Sequence, residues 1–563
     1  MKKPKRAYSR RDFIGTAAGA GAFLAASGLS AFPAPTILTA SRTRPSIAAG
    51  TLRFLPHYVQ RGSGPHLLDW AYASDSKGDA FRSDIAASRD GLLLSDTKGE
   101  GRFAVNVRWN VEEFGYIFIT ADNGGEFYKL PPNGREQSLN LNFELAKSRV
   151  VQNRTRRAGF EKTGWKPSRE TKAYLDLSED LFGDARRSTG EPRRGLLSQK
   201  SLTYAMWASE MMELEKARFN IESLKRPRAD FFFGCDARAF YQMYQDTFLE
   251  LFPELFDYAM VTYVIKGDGM MSDFEPVEGK RNFGTRDVLV RKLRERNITV
   301  QGRTLFWFYD GVTPDWLKRK SFEELKKYVE RHTRETIAHY PEEMFGWEIF
   351  NEFHDWAVEV DVTPEQTVEL VKLSCDVARD TNPDCHRIIN NCCPFAEYVQ
   401  LGKTSGGDAR YPQRTPWEFT KDLVDAGVDF TMLGQQMYFP YRDLQDIMVF
   451  LERMAEFRRP VQLSEVGAPG GPTNLSVKTG SVGFPEEPFI WRRPWDEELQ
   501  ADWLEAVCTL AFSRPWIVNF SWFDLLDRGA FQKNGGLLRN DKGEKKAAWH
   551  RFKKLQNTLK QSA

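Results

Sequence analysis

Cysteine and histidine are scarce in this sequence. Six cysteines in 563 residues are too few for a disulfide scaffold. They are Cys235, Cys375, Cys385, Cys392, Cys393 and Cys508, and they are read as small buried apolar residues. None forms a C-x-x-C pair, and the adjacent Cys392 and Cys393 are poorly spaced for gripping one metal ion. The seven histidines are scattered and contain no H-x-x-x-H pattern, so no metal centre is expected. A charge excess is also missing. Lys and Arg total 79 against 77 Asp and Glu, a net +2, which argues against a dedicated nucleic-acid binder. No cofactor fingerprint occurs: Gly19-Ala20-Gly21 follows no strand, so no cofactor is expected. After residue 32 no run is long and apolar enough to cross a bilayer. What is abundant is aromatic side chain, 13% of the chain with 15 Trp and 41 Phe. Such rings fill large cores, and they also stack on the C–H faces of sugars.

The first 45 residues read as an address. Lys2, Lys3, Lys5, Arg6, Arg10 and Arg11 precede an uncharged Ala- and Gly-rich run from Phe13 to Phe32. The junction Ser9-Arg10-Arg11-Asp12-Phe13-Ile14 resembles a twin-arginine signal, by which bacteria export folded proteins. That resemblance implies the twin-arginine (Tat) export machinery as a partner and a periplasmic or secreted location. An uncleaved anchor is the other reading of this run.

Residues 50–182 carry short alternating runs broken by Gly, Asp and Asn. Phe103 to Trp109 and Tyr116 to Thr120, then Asp122-Asn123-Gly124-Gly125, predict antiparallel β-structure of sandwich type. A carbohydrate-binding role and a plain spacer role are both open for this module. Residues 183–228 are expected to be a polar linker followed by a helix.

From 229 to 556 the texture changes to short apolar runs alternating with helical patterns. Eight strands are predicted, at 230–234, 258–264, 299–308, 346–351, 387–391, 430–438, 461–466 and 517–523. Helices are predicted at 287–296, 322–339, 364–379, 442–457 and 496–513. Eight β/α units in about 330 residues predict an α/β fold, a (β/α)8 TIM barrel preceded by the smaller all-β domain. In such barrels the chemistry sits at the C-terminal ends of the strands. Two strands end in glutamate: the fourth in Asn351-Glu352 and the seventh in Ser464-Glu465. A carboxylic acid that donates a proton, facing a carboxylate that attacks an anomeric carbon, is what retaining glycoside cleavage requires.

Several stretches resemble glycoside hydrolase family 10, the xylanase family. Gly302-Arg303-Thr304-Leu305-Phe306-Trp307-Phe308 with Thr313-Pro314-Asp315-Trp316 matches G-H-T-L-V-W-H…T-P-x-W. Glu275-Pro276-Val277-Glu278-Gly279, Trp347 to Glu352, Gly434-Gln435-Gln436-Met437-Tyr438 and the tail from Gly536 to Trp549 follow in the family's order. The resemblance implies a glycosidase acting on a β-linked polysaccharide or oligosaccharide, endo-1,4-β-xylanase-like by default, with Glu352 as acid/base and Glu465 as nucleophile. It further implies that Asn351 bonds the sugar 2-hydroxyl and that Gln436 and Tyr438 sit beside the nucleophile. Asn390 would lie near the fifth strand end. Trp522 would be a stacking floor, and Trp307, Phe308 and Lys266 would complete the substrate-binding set. Two departures stand out. The family's His after Trp is Phe308, expected to offer an apolar wall. The family's T-x-E-N-x-M-K-W reads Thr262-Tyr263-Val264-Ile265-Lys266, which lacks the outer polar grip. The protein is expected to act as a monomer. A catalytically disabled carbohydrate-binding or scaffold protein on the same barrel is the alternative, and a redox enzyme is a third reading without a fingerprint to support it.

Overall fold

A computed structural model describes residues 50–58, 71–88, 90–225, 228–267, 272–438, 441–472 and 489–561. The segment 1–45 that was read as an export signal, with Arg10 and Arg11, lies outside the described residues.

The C-terminal half is a closed barrel of eight parallel strands. In chain order they are Phe232–Asp236, Tyr258–Thr262, Thr299–Arg303, Gly346–Asn351, His386–Asn391, Met432–Met437, Val461–Val466 and Ile517–Trp522. The last pairs with the first and closes the ring. Nearly every strand residue is buried, as expected where a parallel sheet is covered on both faces. The helices between strands present the periodic apolar faces predicted for them. Phe322–His339, for example, starts with a Ser321/Glu324 capping box and buries Leu325, Tyr328, Val329, His332 and Ile337. The third strand is shorter than expected. It ends at Arg303, and residues 304–308 continue beside the fourth strand through the isolated bridges Phe306↔Phe350 and Phe308↔Val358 and bonds such as Leu305 N–H to the Glu348 carbonyl at 2.8 Å.

The N-terminal module is β-rich only as far as Asn140. One sheet has the order Asp84–Ser88, Gly91–Asp96, Thr51–Leu55, Glu136–Asn140. The other has the order Ile490–Trp491, Gly115–Ala121, Ala104–Val111, Ala71–Ser74, Ala80–Phe81. Leu52, Phe54 and Leu94 of the first sheet share one core with Val105, Val107, Ile117 and Ile119 of the second. The Asp122 turn is present: its carboxylate accepts from the backbone N–H of Gly124 and Gly125.

Two expectations are corrected here. The span 50–182 read as β-rich ends in two helices, Leu141–Glu161 and Arg169–Arg187, the second running past residue 182. The span read as a linker is helical too: it runs from the end of Arg169–Arg187 into Glu191–Glu222, with a break of only three residues. Leu175, Ser178, Phe182 and Ala185 are buried at helical spacing, and the polar run around Gly183 is the solvated face of that same helix. Arg186 and Arg187 sit in its last turn, where cations favour the helix dipole.

The module is joined to the barrel by buried charge. Arg149 pairs with Asp443 at 2.6 Å and Asp446 at 3.1 Å. Glu210 accepts from Trp491 and Arg492, and Arg453 bonds Asp79 at 2.7 Å. Arg442, which follows the sixth barrel strand, reaches the Tyr72 hydroxyl of the module. Trp491 belongs to the segment after the seventh barrel strand, which supplies an edge strand to the module's sheet. Among the described residues, no helix is long and apolar enough to cross a membrane.

Candidate active site

Glu352 and Glu465 both emerge at the C-terminal mouth of the barrel, and both are buried. Glu352 follows directly on the fourth strand with φ of +58°. This left-handed conformation is uncommon for a residue with a side chain, and such strain concentrates at functional sites. Its N–H donates to the Asn390 carbonyl at 2.8 Å, which ties the fourth strand end to the fifth.

One bonded cluster connects the two carboxylates. Glu352 accepts from the Trp307 indole N–H at 2.9 Å and from the Gln436 amide at 2.8 Å. Gln436 also donates to Asn351 Oδ1 at 3.1 Å, and Asn390 donates to the same oxygen at 3.0 Å. Asn390 reaches on to Glu465 Oε1 at 3.4 Å and accepts from Ser464 Oγ at 2.6 Å. Tyr438 donates its phenolic proton to Glu465 Oε2, and Arg303 donates to Glu465 Oε1. The Asn351 amide nitrogen is buried with no hydrogen-bond partner among the described residues, and Asn351 lines the cavity beside Arg303 and Trp307. A buried donor without a partner is costly, and a ligand acceptor would satisfy it.

The expected site residues therefore divide. Glu352, Glu465, Asn351, Asn390, Gln436, Tyr438 and Trp307 come together. Gln436 bonds Glu352 rather than standing beside Glu465, and Tyr438 is the neighbour of Glu465. Three others fall elsewhere. Phe308 is wholly buried, with its ring against Phe350 and Phe353, so it offers no wall to a sugar. Trp522 is wholly buried and donates its indole N–H to the Gly535 carbonyl at 3.0 Å. Successive residues at a strand end face opposite ways, and the next residue, Phe523, is the one that lines the cavity. Lys266 is exposed on the loop after the second strand and makes none of the bonds of the carboxylate cluster.

A charged network on the other side of Glu465 was not anticipated from the sequence. Arg303 ends the third strand at the position where the family pattern G-H-T-L has histidine. Besides Glu465, it pairs with Asp236 at 3.2 Å and Glu348 at 3.6 Å. Asp236, at the end of the first strand, also accepts from Arg238 Nε at 3.0 Å. Arg238 continues the chain to Asp524. Burial pushes the Asp524 carboxyl up to about 6, against the pull of Arg238. Both guanidiniums lie on the Phe523 ring, at 4.5 Å for Arg238 and 4.9 Å for Arg303. Arg238, Thr262, Arg303, Trp307, Asn351 and Phe523 line one cavity at the barrel mouth. The departure from histidine at 303 was visible in the sequence. Its partners were not, because Asp236, Glu348 and Glu465 come from three different strands.

The sequence profile of glycosyl hydrolase family 10 matches residues 254–554, the greater part of the barrel and more than half of the chain. The chain belongs to glycosyl hydrolase family 10. Its relatives within the family are distant. It is similar to endo-1,4-β-xylanase B of Thermotoga neapolitana, 23% identical over 262 residues, which are 44% of this chain and 68% of that one. It is also similar to endo-β-1,4-xylanase Xyn10C of Cellvibrio japonicus, 32% identical over 89 residues, 15% of either chain. Among solved structures, native xylanase 10B from Thermotoga maritima aligns at 17% identity and a TM-score of 0.45. That alignment covers 62% of this chain and 99% of the other. A family 10 structure from Paenibacillus barcinonensis aligns at 18% identity and a TM-score of 0.45, covering 59% and 96%. Family 10 membership makes the barrel a glycoside hydrolase domain.

Proposed function

We propose that this family 10 enzyme cleaves the backbone of a β-linked glycan of the xylan type by double displacement. In the first step Glu352 protonates the glycosidic oxygen while Glu465 attacks the anomeric carbon. In the second step Glu352, now a base, takes a proton from the water that releases the sugar from Glu465. The observation that carries this reading is the bonded cluster at the ends of strands four to seven. The partners of the two carboxylates differ in kind. Glu465 faces a guanidinium and a phenolic O–H, which favour the ionised form that a nucleophile needs. Glu352 takes neutral indole and amide donors, and its task requires it to change protonation state. The Asn351 amide is placed to donate to a hydroxyl of the sugar undergoing cleavage. The names of the two relatives described above, both endo-xylanases, support the choice of backbone.

The glycone side is built differently from the family pattern quoted above. The family's acidic and amide grip is missing from Thr262–Lys266, and Arg238 and Arg303, which line the cavity with Asn351, have donors engaged with Asp236, Asp524 and Glu465. A sugar hydroxyl entering there meets few uncommitted donors, and each unmade bond costs about 0.5–1.5 kcal/mol. Two or three such losses lower kcat/KM by roughly one to three decades. Linear xylo-oligosaccharides are therefore expected to be poorer substrates than a decorated or different β-linked glycan. A comparison of kcat/KM across purified oligosaccharides checks this. Linear xylo-oligosaccharides emerging as best by a wide margin would contradict it.

The proposal includes export. The Ser9-Arg10-Arg11-Asp12-Phe13-Ile14 junction supports delivery of the folded enzyme by the twin-arginine route to the periplasm or beyond. Lysine at both Arg10 and Arg11 is expected to leave the protein in the cytoplasm on cell fractionation. Undiminished periplasmic enzyme from that variant would refute the route.

A further inference from the structure

The proposed mechanism leaves a pair of thiols at the barrel mouth without a role. The fifth strand ends at Asn391, and Cys392 and Cys393 follow it. In an extended strand, consecutive side chains point to opposite faces. Here the chain has left the ladder, and Cys393 takes φ of +51°, a left-handed conformation that a residue with a side chain seldom adopts. The outcome is that both side chains turn the same way, and their sulfurs stand 2.9 Å apart. Both residues are buried.

The surroundings fit thiol chemistry at this point. His354 Nε2 lies 3.5 Å from Cys392 Sγ and accepts the Cys392 backbone N–H at 3.3 Å. Its Nδ1 lies 2.9 Å from the Tyr398 hydroxyl. Burial holds the imidazole neutral, pushed down to about 3, so Nε2 keeps its lone pair toward the backbone N–H and the sulfur. Burial likewise pushes the Cys393 thiol up to about 12, with Glu352 and Glu397 adding to the rise. At rest the Cys393 thiol is therefore neutral, and exchange proceeds through the small thiolate fraction. The pair sits two residues from the Asn390 carbonyl that holds the Glu352 backbone.

We propose that Cys392 and Cys393 form a reversible vicinal disulfide that fixes the turn after the fifth strand beside the acid/base loop. The oxidant is a disulfide-bearing molecule. The Cys392 thiolate attacks one sulfur of that molecule and breaks its S–S bond, giving a mixed disulfide and one free thiolate. Cys393, as thiolate, then attacks the Cys392 sulfur and expels the second half. The two cysteines are oxidised by two electrons, the oxidant's disulfide is reduced, and the two protons leave on its two thiols. Adjacent Cα atoms are about 3.8 Å apart, below the usual 4.4–6.8 Å of disulfides. The bond is strained, and a dithiol reductant should open it. The export proposed above would carry the pair into a compartment where disulfides persist.

The experiment uses the full chain purified with reductant. One portion is incubated folded with glutathione disulfide, and another is refolded from denaturant in the same oxidant. Both are denatured in acid, alkylated and mapped by mass spectrometry. The expected result, in at least one portion, is a peptide spanning 389–398 that lacks both alkyl groups and two hydrogens, with the other four cysteines alkylated. Reductant should restore alkylation of the pair. The variants Cys392→Ser and Cys393→Ser should show no such peptide, the remaining cysteine being alkylated or carrying glutathione. Alkylation of both cysteines in both portions of the unsubstituted chain would overturn the proposal, and so would glutathione held stably on either of them.

Discussion

Replacing Glu465 by Ala is expected to remove turnover on every substrate. Replacing Glu352 by Ala should spare the first step on substrates whose leaving group needs no proton. Both losses should be large but different in pattern. Without the nucleophile no glycosyl-enzyme forms, and the loss should reach roughly 10⁵ or more, the scale on which removing a nucleophile acts elsewhere. Without the general acid the loss on a polysaccharide should be roughly 10²–10⁴. On a dinitrophenyl glycoside the first step should stay fast and the glycosyl-enzyme should accumulate, visible as a burst of released phenol. Glu352 stands under two neutral N–H donors, from Trp307 and Gln436, whereas Glu465 is held by Arg303 and Tyr438. Equal loss by both variants on the activated glycoside, with no burst, would show that the two roles have been assigned wrongly.

Replacing Arg303 by Ala should produce the second-largest effect, and through a different route. One guanidinium serves Asp236, Glu348 and Glu465, all buried. Removing it leaves a cluster of carboxylates short of its cation, which costs about 3–5 kcal/mol where a buried pair is broken. Chemical denaturation should report that loss. A purely structural role would stop there. Arg303 also touches the nucleophile, and a cation in contact favours a charged carboxylate, an effect of about 1–3 pH units for a carboxylate beside arginine. The sign follows directly: with the cation gone Glu465 gains a proton more readily, so the acid limb of kcat/KM moves to higher pH. Arg303→Lys keeps the charge but loses the fork that reaches several oxygens at once. It should restore most of the limb position and only part of the stability. An acid limb unmoved in Arg303→Ala would remove Arg303 from the chemistry and leave it a packing residue.

The strands carrying Glu352 and Glu465 were legible because buried parallel strands are short apolar runs and their terminal polar residues stand out. Side-chain direction at those ends was harder to read. Trp307 and Phe308, like Trp522 and Phe523, are adjacent large aromatics, and which of each pair faces the cavity depends on where the ladder stops. The third strand stops at Arg303, five residues earlier than the apolar run suggested. Its partners Asp236, Glu348 and Glu465 are far apart in sequence and meet only in the closed ring. The helices at 141–187 were hidden by their many charged residues, which sit on solvated faces. The edge strand Ile490–Trp491 belongs to the module's sheet although it lies beyond the seventh barrel strand, a pairing that no local pattern announces. Arg149 and Arg442 look like surface residues in sequence and are buried at the seam with the barrel.

The central claim is that Glu465 attacks the anomeric carbon and Glu352 serves first as acid and then as base. The most direct measurement is proton NMR of a β-linked oligosaccharide during the first minutes of cleavage, before mutarotation mixes the anomers. The account predicts that the newly released reducing end appears first as the β anomer, since two inversions restore the starting configuration. First appearance of the α anomer would mean a single displacement by water and would contradict the roles given to both glutamates.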